Sequence, residues 1–208
     1  RHVDGMLEAF RDQKDQKPRL VHRIDRDTSG VLVVARNRTA ATKLTAAFRE
    51  RSTKKVYWAL VKGVPKPKQG RISTFLAREG GDSERMRVAR QGEEDAVHAV
   101  TYYAVVDQVA QKLAWLSFRP VTGRTHQLRA HAAHIGHPII GDPKYFDVQN
   151  WELPGGIQNR LHLHARRIII PHPRGGVLDV SAPLPDHMRQ SWNLLGFDAS
   201  QYDPIEQA

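Results

Sequence analysis

The chain has 208 residues, 40% hydrophobic and 26% charged, enough for one substantial core or for two lobes sharing a cleft. Thirty-two Lys and Arg against 22 Asp and Glu give a formal charge of +10 and an isoelectric point near 10.1. A polyanion such as nucleic acid is the expected partner, because each neutralised phosphate releases counterions; the bland alternative is a solvated basic surface. There is no cysteine, which excludes disulfides, a thiolate nucleophile and Cys-ligated metal, and fits a cytoplasmic location. No apolar run reaches the roughly 20 residues that cross a bilayer, so no membrane partner is expected.

In chain order, Met6, Leu7 and Phe10 at helical spacing predict a short helix over 4–11, and the polar stretch 12–18 a surface loop. The β-branched run 31–35 predicts a buried strand. Leu44, Ala47 and Phe48 on one face predict a helix over 39–51. Both faces of 54–62 are apolar, which places that strand centrally. Shorter strand pieces, broken at Gly80-Gly81, are expected over 71–90, and a hairpin of longer strands over 97–109 and 113–121. Leu128, Ala132 and Ile135 predict a helix over 125–135 that stops at Gly136 before Pro138. An irregular stretch over 147–159, strands over 162–170 and 177–180 and a closing helix over 185–195 complete the reading. Strands outnumber helices with little regular βαβ alternation, which predicts an α+β fold with a largely antiparallel sheet.

Three clusters combine polar groups with turn residues. In His22-Arg23-Ile24-Asp25-Arg26-Asp27-Thr28-Ser29-Gly30, Asp25 stands between two arginines that favour its anion, as a nucleophile or general base needs. The alternative is an Asp shaping a turn before a strand, which suits Asp27 better. In Gly123-Arg124-Thr125-His126-Gln127-Leu128-Arg129, two arginines flank a helix start, where free N–H groups attract anions; Arg124 is a candidate substrate ligand or a loop anchor. In Leu161-His162-Leu163-His164-Ala165-Arg166, alternation puts the aliphatics on one face and both histidines on a polar outer face. The histidines 126, 131, 134 and 137 are close in sequence but lack the His-Glu-x-x-His pattern, and no metal site is expected. The kinase-like His-Arg-x-Asp fails because one residue too many precedes the Asp and no Gly-rich phosphate loop exists.

Together the clusters resemble the RluA-type family of pseudouridine synthases, which modify ribosomal and transfer RNA. His22 to Gly30 is similar to the family's HRLDxxTSG signature, with Ile24 a variant. Lys55-Val56-Tyr57-Trp58-Ala59-Leu60-Val61-Lys62-Gly63 resembles its KxYxAxVxG strand, and Gly123 to Arg129 with His131 its GRTHQ(I/L)RxH block. Leu163-His164-Ala165 with His172-Pro173 resembles its LHA…HP ending. The resemblance implies a mixed, mostly antiparallel sheet in two lobes with a central catalytic cleft. It implies Asp25 as the catalytic carboxylate, Arg129 as its ion-pair partner, Tyr57 and Leu163 on either face of a flipped uracil, and Arg23 in the space the base vacates. It also implies RNA as partner, no cofactor and a monomer. Pro120-Val121-Thr122-Gly123 and Asn159-Arg160-Leu161 are more similar to the large-subunit ribosomal RNA branch than to the transfer RNA branch. A catalytically inactive RNA-binding module is the rival. The chain lacks an initiator Met and most of the family's opening strand, so 1–208 is expected to be a single catalytic domain without its N-terminal start or an upstream RNA-binding domain.

Overall fold

The computed structural model describes residues 2–208. A single turn of helix, α1 (Val3–Met6), continues as a 3-10 turn to Phe10 and leads through a loop to the first strands. These are β1 (Arg19–Leu20), β2 (Ser29–Gly30) and β3 (Val34–Ala35), followed by helix α2 (Arg38–Arg49), which Asn37 caps by accepting from the Ala40 amide at 2.9 Å. Next come β4 (Lys54–Lys62), β5 (Gln69–Arg78), β6 (Met86–Ala89), β7 (Val97–Val109), β8 (Leu113–Pro120) and helix α3 (Gln127–His134). Strands β9 (Leu163–Pro171) and β10 (Val177–Ser181) and helix α4 (Asp186–Leu195) complete the order. The main sheet runs β10-β9-β4-β8-β7-β5-β6, all antiparallel, and β2 adds a short parallel pairing to β9. The fold is α+β with a mixed, mostly antiparallel sheet.

The two apolar faces of β4 explain its central place. Val56, Trp58 and Leu60 pack with Trp115, Met188 and Trp192 under α4. Ala59 and Val61 pack on the opposite face with Leu128 and Ala132 of α3, and Tyr57 follows them by period two. Trp58, Trp115 and Trp192 are wholly buried, and truncating any one of them is expected to cost about 3–5 kcal/mol.

A bulge in β9 sets up the second half of that face. Val56 pairs with Arg167 but Tyr57 pairs with Ala165, so Arg166 is the extra residue. The shift by one keeps Ile168 and Ile170 on the face of Leu163 and Ala165. Both isoleucines then pack beneath Leu44 and Ala47 of α2. Helices α2 and α3 thus cover one face of the sheet from two sides and leave a cleft over β9, β4 and β8.

Several expectations need correction. The run 31–35 is not one strand: only Val34 and Ala35 form a ladder, with β1. Gly30, at φ +118, lies so close to β9 that a Cβ would collide with the Ala165 carbonyl, and the chain leaves the sheet after Val31 donates to that carbonyl at 2.9 Å. Val33 and Ala35 are buried nonetheless, against α2. The 71–90 region does break at Gly80-Gly81, but its first piece is a single ten-residue strand, β5, rather than several short ones, with β6 after the turn. Helix α3 starts at Gln127 rather than 125, because His126 takes a left-handed conformation at φ 51. The histidine face of β9 is not an outer face: His162 and His164 are at most 1% exposed.

Candidate active-site cleft

The loop before β2 is built as a tight turn. The Thr28 amide donates to the Asp25 carbonyl at 3.0 Å, and Asp27, at φ 66, occupies the position of a type II turn that needs a left-handed residue. His22 holds the other end: its Nε2 accepts from the Val33 amide at 2.8 Å and its ring stacks on Phe48 at 4.5 Å. Burial, with the Lys55 charge nearby, pushes the His22 pKa down to about 4, which keeps the accepting nitrogen unprotonated. Ser29 bonds His164 Nδ1 at 2.8 Å, and His164 Nε2 meets the Ala182 carbonyl at 3.1 Å. A carbonyl only accepts, so Nε2 carries the proton and Nδ1 accepts from the Ser29 hydroxyl. Asp27, His22 and Ser29 thus each have a local structural reason, whereas the Asp25 carboxylate and the buried Thr28 hydroxyl have no hydrogen-bond partner among the described residues.

The opposite wall is fixed by Gln127. Its Oε1 accepts from the Thr122 hydroxyl at 2.6 Å and the Arg124 amide at 3.1 Å, while Nε2 donates to the Val100 carbonyl and Thr101 Oγ1, both at 2.9 Å. Arg124 Nε donates to the His98 carbonyl at 2.9 Å, so this residue is both a loop anchor and part of the cleft wall.

Between these walls lies a cleft of about 450 Å³ that brings together Asp25, Tyr57, Leu163, Arg23 and Arg124. Five of the six residues singled out from the sequence thus meet in one place. Across the cleft mouth, Arg23 Nη2 donates to Thr125 Oγ1 at 3.2 Å. Asp25 is partly buried, and its carboxylate forms no hydrogen bond or ion pair among the described residues. Burial and then the nearby Asp25 charge push the Tyr57 phenol well above its ordinary pKa, so it stays protonated and can donate.

Arg129 is the exception. It does not pair with Asp25: its Nε and Nη2 donate to Asp142 Oδ2 and Oδ1 at 2.9 and 2.7 Å. Helix α3 points this side chain behind the cleft, where the turn after Gly141 presents Asp142. The Asp25 charge is still felt at Arg129, adding after Asp142 to the rise in its pKa. Asp27 and Asp142 face a separate cavity of about 650 Å³, on the other side of the turn.

Lys55, which the sequence marks only as part of the KxYxAxVxG strand, also lines the cleft beside Tyr57. Burial lowers its pKa, and among the described residues no carboxylate pairs with it. Its signal in the sequence was a Lys two positions before Tyr57 on the same strand face. Arg49, the last residue of α2, and Arg51 just past it also line the cleft, so with Arg23, Lys55 and Arg124 five cationic side chains surround one carboxylate, Asp25. The histidines do not gather: His131 sits between the Thr74 and Thr101 hydroxyls at 2.8 Å each, His126 Nδ1 meets the Tyr145 hydroxyl at 3.0 Å, and His137 Nδ1 donates to the Lys62 carbonyl at 2.9 Å.

A family model described as RNA pseudouridylate synthase matches residues 4–134. "RNA pseudouridine synthase 4, mitochondrial" of Arabidopsis thaliana is 37% identical over 88% of this chain and 51% of its own length. "Dual-specificity RNA pseudouridine synthase RluA" of Salmonella typhimurium is 39% identical over 84% of this chain and 80% of its own. The solved structure of human RNA pseudouridylate synthase domain containing 4 superposes with a TM-score of 0.76 at 28% identity, over 93% of this chain and 82% of that one. The chain belongs to the RNA pseudouridylate synthase family, in its RluA-type branch. It spans about half the length of the first curated relatives it matches.

Proposed function

We propose that this chain is the catalytic domain of an RNA pseudouridine synthase, with Asp25 as its essential carboxylate. The observation that carries the reading is the lone Asp25 carboxylate, without a hydrogen-bonding partner among the described residues, in a cleft otherwise lined by cations and by Tyr57 and Leu163. The reaction breaks the bond from uracil N1 to ribose C1′, turns the base and joins C5 to C1′; the C5 proton is lost and N1 gains one, so the product is an isomer. No step calls for an electron carrier or a metal.

The target base must leave its stack, at a cost of a few kcal/mol, and an aromatic and an aliphatic wall offset part of that. Tyr57 and Leu163 on neighbouring strands supply the two walls. Asp25 acts on the sugar or the base once the base is seated, and the Tyr57 hydroxyl, kept protonated, serves the proton transfer at C5. Arg23, on the cleft mouth, occupies the space left in the RNA, releasing Thr125 to do so. Arg124 and the other cations hold phosphates. Arg129 acts through its charge behind the cleft and through the Asp142 turn.

The proposed substrate is large-subunit ribosomal RNA, on the similarity of Pro120-Val121-Thr122-Gly123 and Asn159-Arg160-Leu161 to that branch, and the proposed setting is a cytoplasmic monomer. The test is pseudouridine mapping at nucleotide resolution after incubating the purified chain with total RNA from cells lacking the gene. New pseudouridine in large-subunit RNA, lost with Asp25→Asn, is the expected result. RNA binding without any pseudouridine would instead make the chain a binding module.

A further inference from the structure

At the far end of α2 from the cleft lies a groove of about 1120 Å³ between the 11–19 loop, the start of α2 and the 173–174 turn. Lys14, Arg19, Arg36, Arg38, Lys43 and Arg174 line it, all exposed. Among the described residues none of the six is in an ion pair. Asp12, the one acidic residue in the lining, spends its Oδ1 on the amides of Lys14 and Gln16 at 2.9 and 2.8 Å. Arg11 also lines the groove but is held by Glu8 at 2.9 Å, so it is left out of the count. Like charges gathered on a surface repel one another, and an anionic partner relieves that repulsion.

The groove is connected to the cleft. The core side of α2 is Leu44, Ala47 and their neighbours. Arg38, Thr42, Thr45 and Arg49, at steps of four, three and four, form an exposed stripe along one flank. Arg38 lines the groove and Arg49 lines the cleft. The stripe covers about 16 Å at 1.5 Å per residue, a length that takes several phosphates of one strand. It carries two arginines, the Thr45 hydroxyl and no carboxylate, a donor set that phosphate and sugar oxygens call for, while the Thr42 hydroxyl is spent on the Arg38 carbonyl at 3.1 Å.

We propose that RNA flanking the target uridine leaves the cleft along this stripe and lays its phosphates in the groove, which makes the groove a sequence-independent second contact. This rests on the reading of the chain as an RNA pseudouridine synthase. The site sets affinity and register, and leaves the chemistry at Asp25 untouched.

The test uses the whole chain carrying Arg36→Ala, Arg38→Ala and Arg174→Ala, whose side chains make no hydrogen bond within the described structure. Binding to oligouridylates of graded length is measured across a salt series. For three lost phosphates at about 0.7 each, the slope of log K against log salt should shrink by roughly two units on long oligomers and stay unchanged on ones that fill only the cleft. Single Arg→Gln changes, which disturb packing least, should each give about a third of that. Equal slopes for variant and wild type at every length overturn the proposal. So does a variant that loses binding to phosphatidylserine vesicles while keeping its RNA slope, since the groove would then face a membrane. Pseudouridine formation, measured in parallel, separates this inference from the enzyme reading. Wild type that binds long RNA through the groove yet forms no pseudouridine on any RNA refutes the activity and leaves the track standing. Active wild type with an unshifted half-saturation in the variant refutes the track alone.

Discussion

Arg129 and Asp142 meet fork to fork, with two parallel hydrogen bonds of 2.9 and 2.7 Å between side chains that are 4% and 0% exposed. Asp142 Oδ1 also accepts from the Lys144 and Tyr145 amides at 2.9 and 3.2 Å, and the Arg129 guanidinium lies 5.2 Å from the Tyr145 ring centre. The pair therefore ties α3 to the turn after Gly141 and fixes a positive charge behind Asp25.

Asp142→Asn leaves the Arg129 charge buried without its anion. Breaking one side of such a pair costs about 3–5 kcal/mol, and urea unfolding should show a loss of that size. Arg129→Lys keeps the charge but gives up the fork, so it should lose stability as well as turnover. Wild-type unfolding in both variants would mean that the pair does not form in solution.

Asp25→Asn is expected to abolish pseudouridine formation with RNA affinity nearly unchanged, because shape is preserved and only the anion is lost. Its unfolding midpoint should not fall, since among the described residues no hydrogen bond depends on the carboxylate. Asp27→Asn is the control: Asn also accepts a left-handed backbone, so the turn and the activity should persist. Turnover in Asp25→Asn at a tenth of wild type would assign the chemistry elsewhere.

Tyr57→Phe separates the ring from the hydroxyl. Base stacking needs only the aromatic face, so RNA binding should hold. If the protonated hydroxyl serves the proton transfer, product should fall by orders of magnitude at saturating RNA. A fully active Phe variant would leave Tyr57 as a wall of the cleft.

Much of this was legible in the sequence because short-range patterns encode it. The two faces of β4, the hairpin of β7 and β8, the Gly136 stop of α3 and the gathering of Asp25, Tyr57 and Leu163 all follow from periodicity, turn residues or family blocks. What was missed depends on distant neighbours. Nothing local says that Gly30 runs against Ala165, or that a bulge at Arg166 turns Ile168 and Ile170 toward α2. The family resemblance pairs Arg129 with Asp25, whereas Asp142, thirteen positions further on, is the carboxylate its helix faces. Alternation correctly put His162 and His164 on a common side of β9, but it could not reveal that α4 and the segment around Ala182 cover that side.

Those buried histidines predict acid sensitivity. His22, His131, His162 and His164 each have a pKa pushed down to about 4, chiefly by burial. Below pH 6.5 the unfolded chain takes up protons at these sites and the folded chain does not, so stability falls with falling pH until about pH 4 and then flattens. Urea midpoints measured from pH 7 to 4 should drop, with up to about four protons taken up on unfolding. His164→Gln should remove about one of the four, since Gln cannot be protonated; its NH₂ keeps a donor for the Ala182 carbonyl. A flat pH profile would place these rings in solvent.

Lys55 gives a last prediction in which stability and function move in opposite directions. Its ammonium lies in the cleft with its pKa lowered by burial, so folding holds a charge where water would hold it better. Gly123 leaves room next to it, since even a Cβ there would come no nearer than 3.6 Å to Lys55 Nζ. A phosphate of the bound RNA is the anionic partner that Lys55 lacks among the described residues. Lys55→Met keeps the length of the stem and removes the charge. The variant should unfold at higher urea than wild type, by roughly 1 kcal/mol as for other residues kept at a cost in stability for their function. It should also bind RNA more weakly, with a salt slope smaller by about 0.7 for the one lost phosphate. Pseudouridine formation at saturating RNA should be less affected than the half-saturation concentration. A Met variant that is less stable than wild type would show that the ammonium has a partner within the fold. One that binds RNA with the wild-type salt slope would show that it meets no phosphate.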